Sequence, residues 1–355
     1  CLFDFEGRGN WRENHSKEMG DSKRIYEEIS REIPKEISEK KFFKETPLDS
    51  PISWQITPPL YNDYERSFNI VKSNIMAGNS YLTNLTNRVP VSCNLSLEEI
   101  FHRAKGKYKL LLRRKRTQAE DKAHLKEENI EENLTPFVCF SPETFVRIKG
   151  GRIYSYPMKG TLDASLPNAE KLLMEDRKEA AEHATIVDLI RNDLSRVAED
   201  VRVDKYRYVD VLHTNKGDIL QTSSEISGRL PEDYPHHLGE ILDAQLPAGS
   251  ITGAPKDKTM QIIQEAEGYD RGFYTGIMGI YDQGELNSAV MIRFIEEETS
   301  PVDFEADGEK NFKANEGKKP KKSRKLYFKA GGGITSKSDC RREYEEVIQK
   351  IYLPF

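Results

Sequence analysis

The chain has 355 residues, of which 37% are apolar and 32% charged, and its 54 basic and 59 acidic side chains leave a net charge of -5. This length allows one large domain with a substantial core. The charge balance argues against the global basic field that holds nucleic acid or an anionic membrane. Since no apolar run approaches the about 18 residues of a membrane-spanning helix, we expect a cytoplasmic protein.

The four cysteines indicate a reducing compartment. Cys1, Cys93, Cys139 and Cys340 are scattered and contain no C-x-x-C pair. Neither a zinc site nor a disulfide framework is therefore predicted. Cys139 lies in the apolar run "PFVCF", where a buried, unreactive thiol is the common case.

Helical and strand-like patterns alternate along the chain. "ERSFNIVKSNIMAG" (65–78) has apolar residues at helical spacing, and "FVRIKGGRIYSYPM" (145–158) predicts two strands joined by a glycine turn. The segment 168–198 predicts one long helix, and 273–295 a hairpin that turns at "DQG". A last helix is predicted within 338–353, with Ser338 as its N-cap.

Two charged segments interrupt this pattern, at about 113–133 and 296–325. They contain almost no aliphatic residues, so they cannot bury enough surface to order themselves. Strand-like runs flank each of them, which predicts elongated loops between neighbouring strands. The mixture of hairpins and helices without repeats predicts a single α+β domain, spanning 1–355, with antiparallel sheets.

Two pairs of glutamates have the spacing of one helix face. Glu179 and Glu182 are three residues apart on the predicted long helix, and Glu343 and Glu346 repeat this spacing on the last helix. Carboxylates are ligands that Mg²⁺ prefers, so the two pairs could converge on one cation. The alternative is that all four are solvated, as most glutamates on helices are.

Two glycine-containing stretches could bind an anion through their backbone. "AGGGIT" (330–335) follows a strand and precedes the last helix, so bare amides could cradle an anionic group. "LPAGSITGAPK" (246–256) has small residues, two hydroxyls and a closing lysine, and would let a ligand approach the main chain. A tight turn and an ordinary connection are the alternatives.

Lys159 lies in "YPMKGT", just after the predicted hairpin, and Glu143 lies in "FSPETF" at its start. A hairpin between them returns the chain, so both can emerge at the same sheet edge and face one pocket. The alternative is a surface ion pair, which contributes at most about 1 kcal/mol. The local pattern by itself favours the ion pair.

In their order along the chain, these stretches resemble the chorismate-utilising enzymes, a family that includes anthranilate synthase component I, isochorismate synthase and salicylate synthase. The resemblance extends from about residue 78 to the end. It implies an α+β fold in which two antiparallel β-sheets pack face to face with helices on the outside. The motifs that carry it are "GNSYLTNLT", "FSPETF", "YPMKGT", "AAEHATIVDLIRNDLSRV", "LQTSSEISG", "LPAGSITGAPK", "GIMGIYDQGELNSAVMIR" and "AGGGITSKSDCRREYEE".

A lysine in the P-x-K-G-T motif resembles the family members that replace the 4-hydroxyl of chorismate with ammonia, giving 4-amino-4-deoxychorismate for p-aminobenzoate and folate synthesis. The resemblance implies that Lys159 attacks C2 of the ring and that Glu143 protonates the departing hydroxyl. Ammonia then adds at C4 and the lysine is expelled. These roles need a lysine with a lowered pKa and a carboxylic acid with a raised one.

The resemblance also implies the ligands of the two chorismate carboxylates. The ring carboxylate would meet Mg²⁺ held by Glu182 and Glu346, with Glu179 and Glu343 nearby or bound through water. The enolpyruvyl carboxylate would meet the side chains of Arg293 and Lys256 and the amides of Gly331, Gly332 and Gly333. Thr252 would contact the ring, and Thr161 is a further substrate-binding residue that the resemblance implies.

Gln221 departs from the family pattern, because many relatives have histidine at this position. An amide cannot exchange a proton near neutral pH, which agrees with an enzyme that stops at the amino product. No cysteine lies in a Gly-x-Cys-x-Gly elbow, so we expect ammonia from a separate glutamine amidotransferase subunit or from solution. The alternatives are anthranilate synthase component I, a bifunctional paralogue, and a non-catalytic scaffold that binds chorismate or the amidotransferase.

Overall fold

The computed structural model describes residues 2–5, 51–113, 135–214, 217–301 and 322–355. The strands in these residues are β1 (Leu2–Phe5), β2 (Trp54–Ile56), β3 (Leu82–Cys93), β4 (Tyr108–Leu112), β5 (Phe137–Ser141), β6 (Thr144–Lys149), β7 (Arg152–Ser155), β8 (Met158–Asp163), β9 (Glu199–Thr214), β10 (Gly217–Arg229), β11 (Gly253–Ala254), β12 (Ile277–Asp282), β13 (Glu285–Val290), β14 (Phe294–Pro301) and β15 (Lys322–Ile334). The helices are α1 (Tyr61–Met76), α2 (Leu97–Arg103), α3 (Ala169–Glu175), α4 (Arg177–Leu194), α5 (Leu238–Gln245), α6 (Gly249–Thr252), α7 (Lys256–Glu267) and α8 (Cys340–Gln349), with a 3₁₀ turn at Tyr234–His236. None of the helices in these ranges is long and apolar enough to cross a membrane.

The described strands form two antiparallel sheets, as predicted. The first sheet has eight strands in the order β1-β4-β5-β14-β15-β3-β11, with β2 also paired to β3. The second has seven strands in the order β12-β13-β6-β7-β10-β8, with β9 also paired to β10. Neighbours in sequence are often neighbours in a sheet, which is what short hairpin connections produce.

Both faces of the first sheet are buried, which explains the consecutive apolar residues Leu110–Leu112 of β4 and Phe137–Phe140 of β5. Side chains alternate between faces along a strand. Cys139 therefore packs against Met278 of the second sheet, whereas the preceding Val138 packs in a cluster that contains Phe68 of α1 and Phe101 of α2. The two sheets thus pack face to face, and helices cover the outer face of the first.

The outer face of the second sheet is covered by α4, α5 and α6. Ile153 and Ile226 of the sheet share a buried cluster with Leu194, Ile241 and Ile251 of the three helices. The predicted arrangement of helices outside two packed sheets is confirmed.

The predicted long helix is wrong in one respect, because α3 and α4 are separate helices that meet at Asp176. The Asp176 backbone is extended, and its carboxylate accepts hydrogen bonds from the amides of Lys178 and Glu179, at 2.8 and 3.0 Å. An aspartate that caps the following turn competes with helix continuation. The break starts a new helix just before the first glutamate pair.

Two details of the C-terminal prediction are also wrong. The N-cap of α8 is Asp339, whose carboxylate accepts from the Arg342 amide at 3.0 Å, while the Ser338 hydroxyl accepts from the Thr335 amide at 3.1 Å. The glycine run belongs to β15 and is not a turn. A Cβ on Gly331 would lie 2.5 Å from the Leu85 carbonyl oxygen, so the approach of β3 requires glycine there.

Both predicted hairpins are present. β6 and β7 pair with Lys149 opposite Arg152, and β12 and β13 pair with Asp282 opposite Glu285. The turn residues have positive φ, as two-residue hairpins of this hand require. Of the predicted charged loops, residues 114–134 and 302–321 lie outside the described residues, and 296–301 and 322–325 extend β14 and β15.

Candidate functional site

Two short links carry the chain between the sheets, and each bears a predicted site residue. Glu143 lies between β5 and β6, and Arg293 lies between β13 and β14. Each link is hydrogen-bonded to a strand next to the other link. The Val290 amide of β13 donates to the Glu143 carbonyl at 3.2 Å, and the Phe140 amide of β5 donates to the Arg293 carbonyl at 3.1 Å. Antiparallel pairing therefore places the two residues close together, and the Arg293 guanidinium interacts electrostatically with the Glu143 carboxyl.

Lys159 lies at a bulge in β8. Lys159 pairs with Thr222 and Thr161 pairs with Gln221, so Gly160 is an extra residue on β8. Gly160 has a φ of +74°, which favours glycine, and a Cβ there would lie 3.0 Å from Oε2 of Glu179. Bulges bend a strand and re-aim its side chains. This bulge brings Lys159 near the glutamates of α4.

The glycine run of β15 lies against the Lys159 amine, since a Cβ on Gly333 would be 3.6 Å from Nζ. Gly331 pairs with Thr86 and Gly333 with Asn84. The Thr86 amide donates to Glu267 and the Asn84 carbonyl accepts from Arg271. Both of these main-chain groups of β3 therefore point away from β15. Main-chain groups of opposed residues point either toward or away from each other. The amides of Gly331 and Gly333 therefore face away from β3, toward the site.

The two glutamate pairs flank this glycine run. A Cβ on Gly332 would lie 3.5 Å from Oε2 of Glu343 and 3.9 Å from Oε1 of Glu346. On α4, Glu182 lies 3.5 Å from the Lys178 amine. Lys178 in turn interacts electrostatically with Glu343 of α8. The pairs predicted from spacing alone thus face the same cleft.

Burial and mutual repulsion shift the pKa values of these carboxyls. Burial, together with the neighbouring Glu182, raises the pKa of Glu179. Burial also raises the pKa of Glu343, and Glu346 adds to this effect. Burial would raise the pKa of Glu346 as well, but the ammonium groups of Lys350, Lys159 and Lys178 together outweigh it, and the pKa is lowered.

The residues present fit a divalent cation in their chemistry, although they do not form a closed metal centre. No three histidine, cysteine, aspartate or glutamate side chains converge at ligand spacing in the described part of the chain. Lysine ammonium groups lie against both pairs, Lys178 on Glu182 and Lys350 on Glu346, the latter at 2.7 Å. Four hard oxygen donors with excess negative charge are what Mg²⁺ prefers.

Glu143 has the surroundings of a carboxylic acid. It is half-buried, and its Oε1 accepts a hydrogen bond of 2.5 Å from the Ser250 hydroxyl of α6. Burial raises the pKa of Glu143, while Ser250 and the charges of Lys159 and Arg293 act in the opposite direction. The net shift favours the protonated form, which a general acid needs.

Lys350 is a site residue that the sequence analysis missed. Its amine donates to the Gly331 carbonyl at 2.9 Å, and its own carbonyl accepts from the Arg293 guanidinium at 3.2 Å. Burial lowers its pKa, although Glu346 acts against this effect. The signal was present, because Lys350 lies four residues after Glu346 and so shares its helix face.

Three other predicted substrate-binding residues are not grouped around Lys159. The Lys256 amine is 2.9 Å from Asp193 and 3.0 Å from the Gln245 carbonyl oxygen, so it is engaged in a largely buried ion pair. Thr252 is buried in α6, and Thr161 is exposed on β8. Gln221 pairs with Thr161, and its buried Oε1 has no hydrogen-bond partner among the described residues.

His183, which the sequence analysis did not single out, is buried directly after Glu182. Its Nε2 lies 2.7 Å from the Ser224 hydroxyl. Burial, with the nearby charges of Arg207 and Lys159, lowers the pKa of His183 to about 4. The imidazole is therefore neutral at pH 7 and connects α4 to β10.

Comparison with known proteins gives one family. Residues 6–308 match the family described as chorismate binding enzyme. An uncharacterised PabA-like protein from Haemophilus influenzae is 47% identical over 309 residues, covering 87% of this chain and 80% of that protein. Anthranilate synthase component 1 from Aquifex aeolicus is 35% identical over 222 residues, covering 59% of this chain and 38% of that protein.

Solved structures support the fold. Anthranilate synthase component I from Streptococcus pneumoniae aligns with a TM-score of 0.62 at 24% identity, covering 92% of this chain and 63% of that one. The menaquinone-specific isochorismate synthase MenF from Escherichia coli aligns with a TM-score of 0.60 at 16% identity, covering 87% of this chain and 64% of that one. The chain thus spans less than two thirds of either solved chain.

Proposed function

Because the chain belongs to the family of chorismate binding enzymes, we propose that it is an aminodeoxychorismate synthase component I, which replaces the 4-hydroxyl of chorismate with ammonia. The observation that carries this proposal is the position of Lys159. The Gly160 bulge turns it toward the cleft, where its amine lies beside Gly333 and within the electrostatic reach of Glu143 and Glu179. A primary amine in this position can act as a nucleophile toward a bound ring.

In the proposed reaction, the Lys159 amine forms a bond to C2 of chorismate. The ring double bonds shift, the C4–O bond breaks, and Glu143 transfers its proton so that the hydroxyl leaves as water. Ammonia then forms a bond to C4, the double bonds shift back, and the C2–N bond to Lys159 breaks. The raised pKa of Glu143 supports its role, because it must enter this sequence protonated.

Cationic groups and amides on one side of the cleft support the binding of a dianion. We assign the enolpyruvyl carboxylate to the Arg293 guanidinium and the Gly331 and Gly333 amides, with Lys350 beside them. A guanidinium and backbone amides are well suited to hold a carboxylate. The enolpyruvyl carboxylate would then be fixed beside Lys159, where the first and second sheets meet.

We assign the ring carboxylate to Mg²⁺, held by Glu182 and Glu346 with Glu179 and Glu343 nearby. The bound ion would neutralise the substrate carboxylate and orient the ring. Within this assignment, the residues of the chain have two tasks. The glutamates supply oxygen donors from two helices. The Lys178 and Lys350 ammonium groups lie against these glutamates, so on ion binding they would either move away or stay and balance part of the negative charge.

Gln221 supports a reaction that stops at the amino product. Its side chain lies on β10 opposite Thr161, two residues from Lys159 along β8. An amide has no titration near neutral pH, so it cannot exchange a proton in the elimination of pyruvate. Together with the lysine of the P-x-K-G-T motif, Gln221 favours amination over the formation of anthranilate.

The proposed source of ammonia is a separate glutamine amidotransferase subunit. None of the four cysteines of the sequence is set in a Gly-x-Cys-x-Gly elbow, which the nucleophile of such a subunit would need. The subunit would deliver ammonia to C4 of the bound ring, and free ammonium at high concentration should replace it in vitro.

Product identification tests the proposed function. The protein is incubated with chorismate, Mg²⁺ and ammonium, and separately with glutamine and an amidotransferase subunit, and products are separated and weighed by mass spectrometry. We expect 4-amino-4-deoxychorismate. Fluorescent anthranilate with released pyruvate would instead make the protein an anthranilate synthase component I or a bifunctional enzyme. Tight binding of chorismate without any conversion would make it a scaffold.

A further inference from the structure

Glu143, the proposed acid, forms its shortest hydrogen bond to another side chain with Ser250. The Ser250 hydroxyl donates to Oε1 of Glu143 at 2.5 Å. The main chain of Glu143 is already fixed, since its amide donates to the Ser141 hydroxyl at 3.1 Å and its carbonyl accepts from the Val290 amide at 3.2 Å. With the backbone held, Ser250 fixes the rotation of the carboxyl.

Ser250 is itself firmly held. Its carbonyl accepts from the Asn84 side-chain amide at 3.3 Å, and the next carbonyl, of Ile251, accepts from the Arg271 guanidinium at 2.9 Å. Arg271 is paired with the buried Glu267 at 2.5 Å. These contacts tie α6 to β3 and to the end of α7, so the hydroxyl has a fixed position in front of Glu143.

We infer that Ser250 is a positioning residue that determines which oxygen of Glu143 carries the transferred proton. In a carboxylic acid the carbonyl oxygen accepts hydrogen bonds more strongly than the hydroxyl oxygen, so a donor held at one oxygen favours the proton on the other. Because Ser250 donates to Oε1, this bond favours the proton on Oε2. This inference deepens the proposed function and rests on it for the identity of the acceptor, which is the departing hydroxyl.

The charged groups around Glu143 bear on how removing the Ser250 hydroxyl should change the pKa of this carboxyl. Lys159 of β8 and Arg293 of the β13–β14 link face the carboxyl, and Asp193 of α4 lines the same cavity of about 20 Å³. Asp193 is paired with Lys256 at 2.9 Å. Ser250 lowers the pKa of Glu143 against the effect of burial, so its loss should allow the carboxyl to stay protonated to a higher pH.

Infrared difference titration of the free protein tests this inference. The carboxyl band of Glu143 is assigned by its absence in Glu143→Gln and followed through pH in the wild type, in Ser250→Ala and in Ser250→Thr. We expect the titration to move to higher pH in Ser250→Ala and to return to the wild-type pH in Ser250→Thr, which keeps the hydroxyl. Identical titrations in all three proteins would overturn the inference.

Kinetics give a second, separate measurement. Without the Ser250 hydroxyl, the rotation of the Glu143 carboxyl is no longer fixed. We therefore expect kcat to fall about 10- to 100-fold in Ser250→Ala with little change in KM, and Ser250→Thr to restore most of the lost kcat. If Ser250→Ala fails to fold, Ser250→Cys, a weak donor of similar size, replaces it, and an unshifted titration in that variant counts against the inference. Because the titration uses no substrate, it stands even if product identification refutes amination.

Discussion

The Lys159 amine lies against the backbone of Gly333, so that a residue of the second sheet and a residue of the first form opposite walls of one cleft. A Cβ on Gly333 would be 3.6 Å from Nζ of Lys159 and 3.0 Å from Cδ1 of Leu82. A side chain on residue 333 would therefore enter the cleft between Leu82 and the Lys159 amine, which glycine leaves open. Its amide points away from β3, toward the open edge of β15, since Gly333 pairs with Asn84 and the Asn84 carbonyl is engaged by Arg271.

Gly333→Ala should weaken chorismate binding without loss of the fold. The added methyl group would project toward the Lys159 amine in the space assigned to the substrate. We expect KM to rise about tenfold or more, which corresponds to roughly 1.4 kcal/mol. The control is Gly239→Ala in α5, where a Cβ would meet no atom within 4 Å. An unchanged KM in Gly333→Ala would place the substrate elsewhere.

Lys159→Ala should abolish the covalent step of the proposed reaction. Without the amine, no bond to C2 can form, and we expect product formation to fall by at least about a thousandfold. Product is measured by chromatography, and chorismate binding by calorimetry separates loss of chemistry from loss of affinity. Lys149→Ala, on the β6–β7 turn with a largely exposed side chain, is the matched control. Amination at the wild-type rate in Lys159→Ala would exclude the nucleophile role.

Glu346→Gln should weaken Mg²⁺ binding. The substitution keeps the shape of the side chain but removes a charge from the assigned donor set, and we expect at least about a tenfold loss of affinity. The matched control is Glu345→Gln on the same helix, because Glu345 is exposed and pairs with Arg341. Calorimetric titration with Mg²⁺ in the absence of chorismate measures both. Equal affinities in the two variants would remove Glu346 from the ligand set.

Much of the fold could be predicted because its signals are local. The hairpin turn at Gln283 and Gly284 and the helix periodicity of 65–78 depend on residues close in sequence. Periodicity could not locate the break at Asp176, because residues 175–179 are all charged and show no apolar spacing on which to end one helix and begin the next. Only the capping bonds of Asp176 to Lys178 and Glu179 decide it.

The site was harder to predict because it depends on distant contacts. The two E-x-x-E pairs were found from helical spacing, but whether they face one cleft depends on how α4 and α8 pack. Ser250 had no local signal of function, and the local signal of Lys350 was only its spacing of four residues after Glu346. Their roles follow from partners far away in sequence, Glu143 and Gly331. The Lys256 amine, which the family resemblance directed to the substrate, is engaged by Asp193.

His183 should make the folded state less stable as the pH falls below neutrality. Its pKa is about 4 in the folded protein, because of burial and then of the charges of Arg207 and Lys159, against 6.5 ordinarily. Between these values the unfolded chain binds a proton that the folded chain does not, so stability is lost as the pH decreases from 6.5 toward 4. The loss should reach up to about 3 kcal/mol.

Urea unfolding in EDTA at pH 7.5 and at pH 5 measures this effect. We compare the wild type with His183→Gln, whose amide can still approach the Ser224 hydroxyl but does not titrate. The difference between the two pH values should be smaller in the variant. If both proteins lose the same stability, other groups are responsible for the pH dependence.

Arg271→Ala should be strongly destabilising because it leaves a carboxylate buried without its cation. The side chain of Glu267 is 1% exposed and that of Arg271 is 14% exposed, and the pair lies at 2.5 Å. Removing one partner of such a pair costs about 3–5 kcal/mol, whereas an exposed pair contributes at most about 1 kcal/mol. Arg341→Ala, which breaks the exposed pair with Glu345, is therefore the control in urea unfolding. A loss in Arg271→Ala no larger than in Arg341→Ala would show that Glu267 takes up a proton or finds water when its partner is removed.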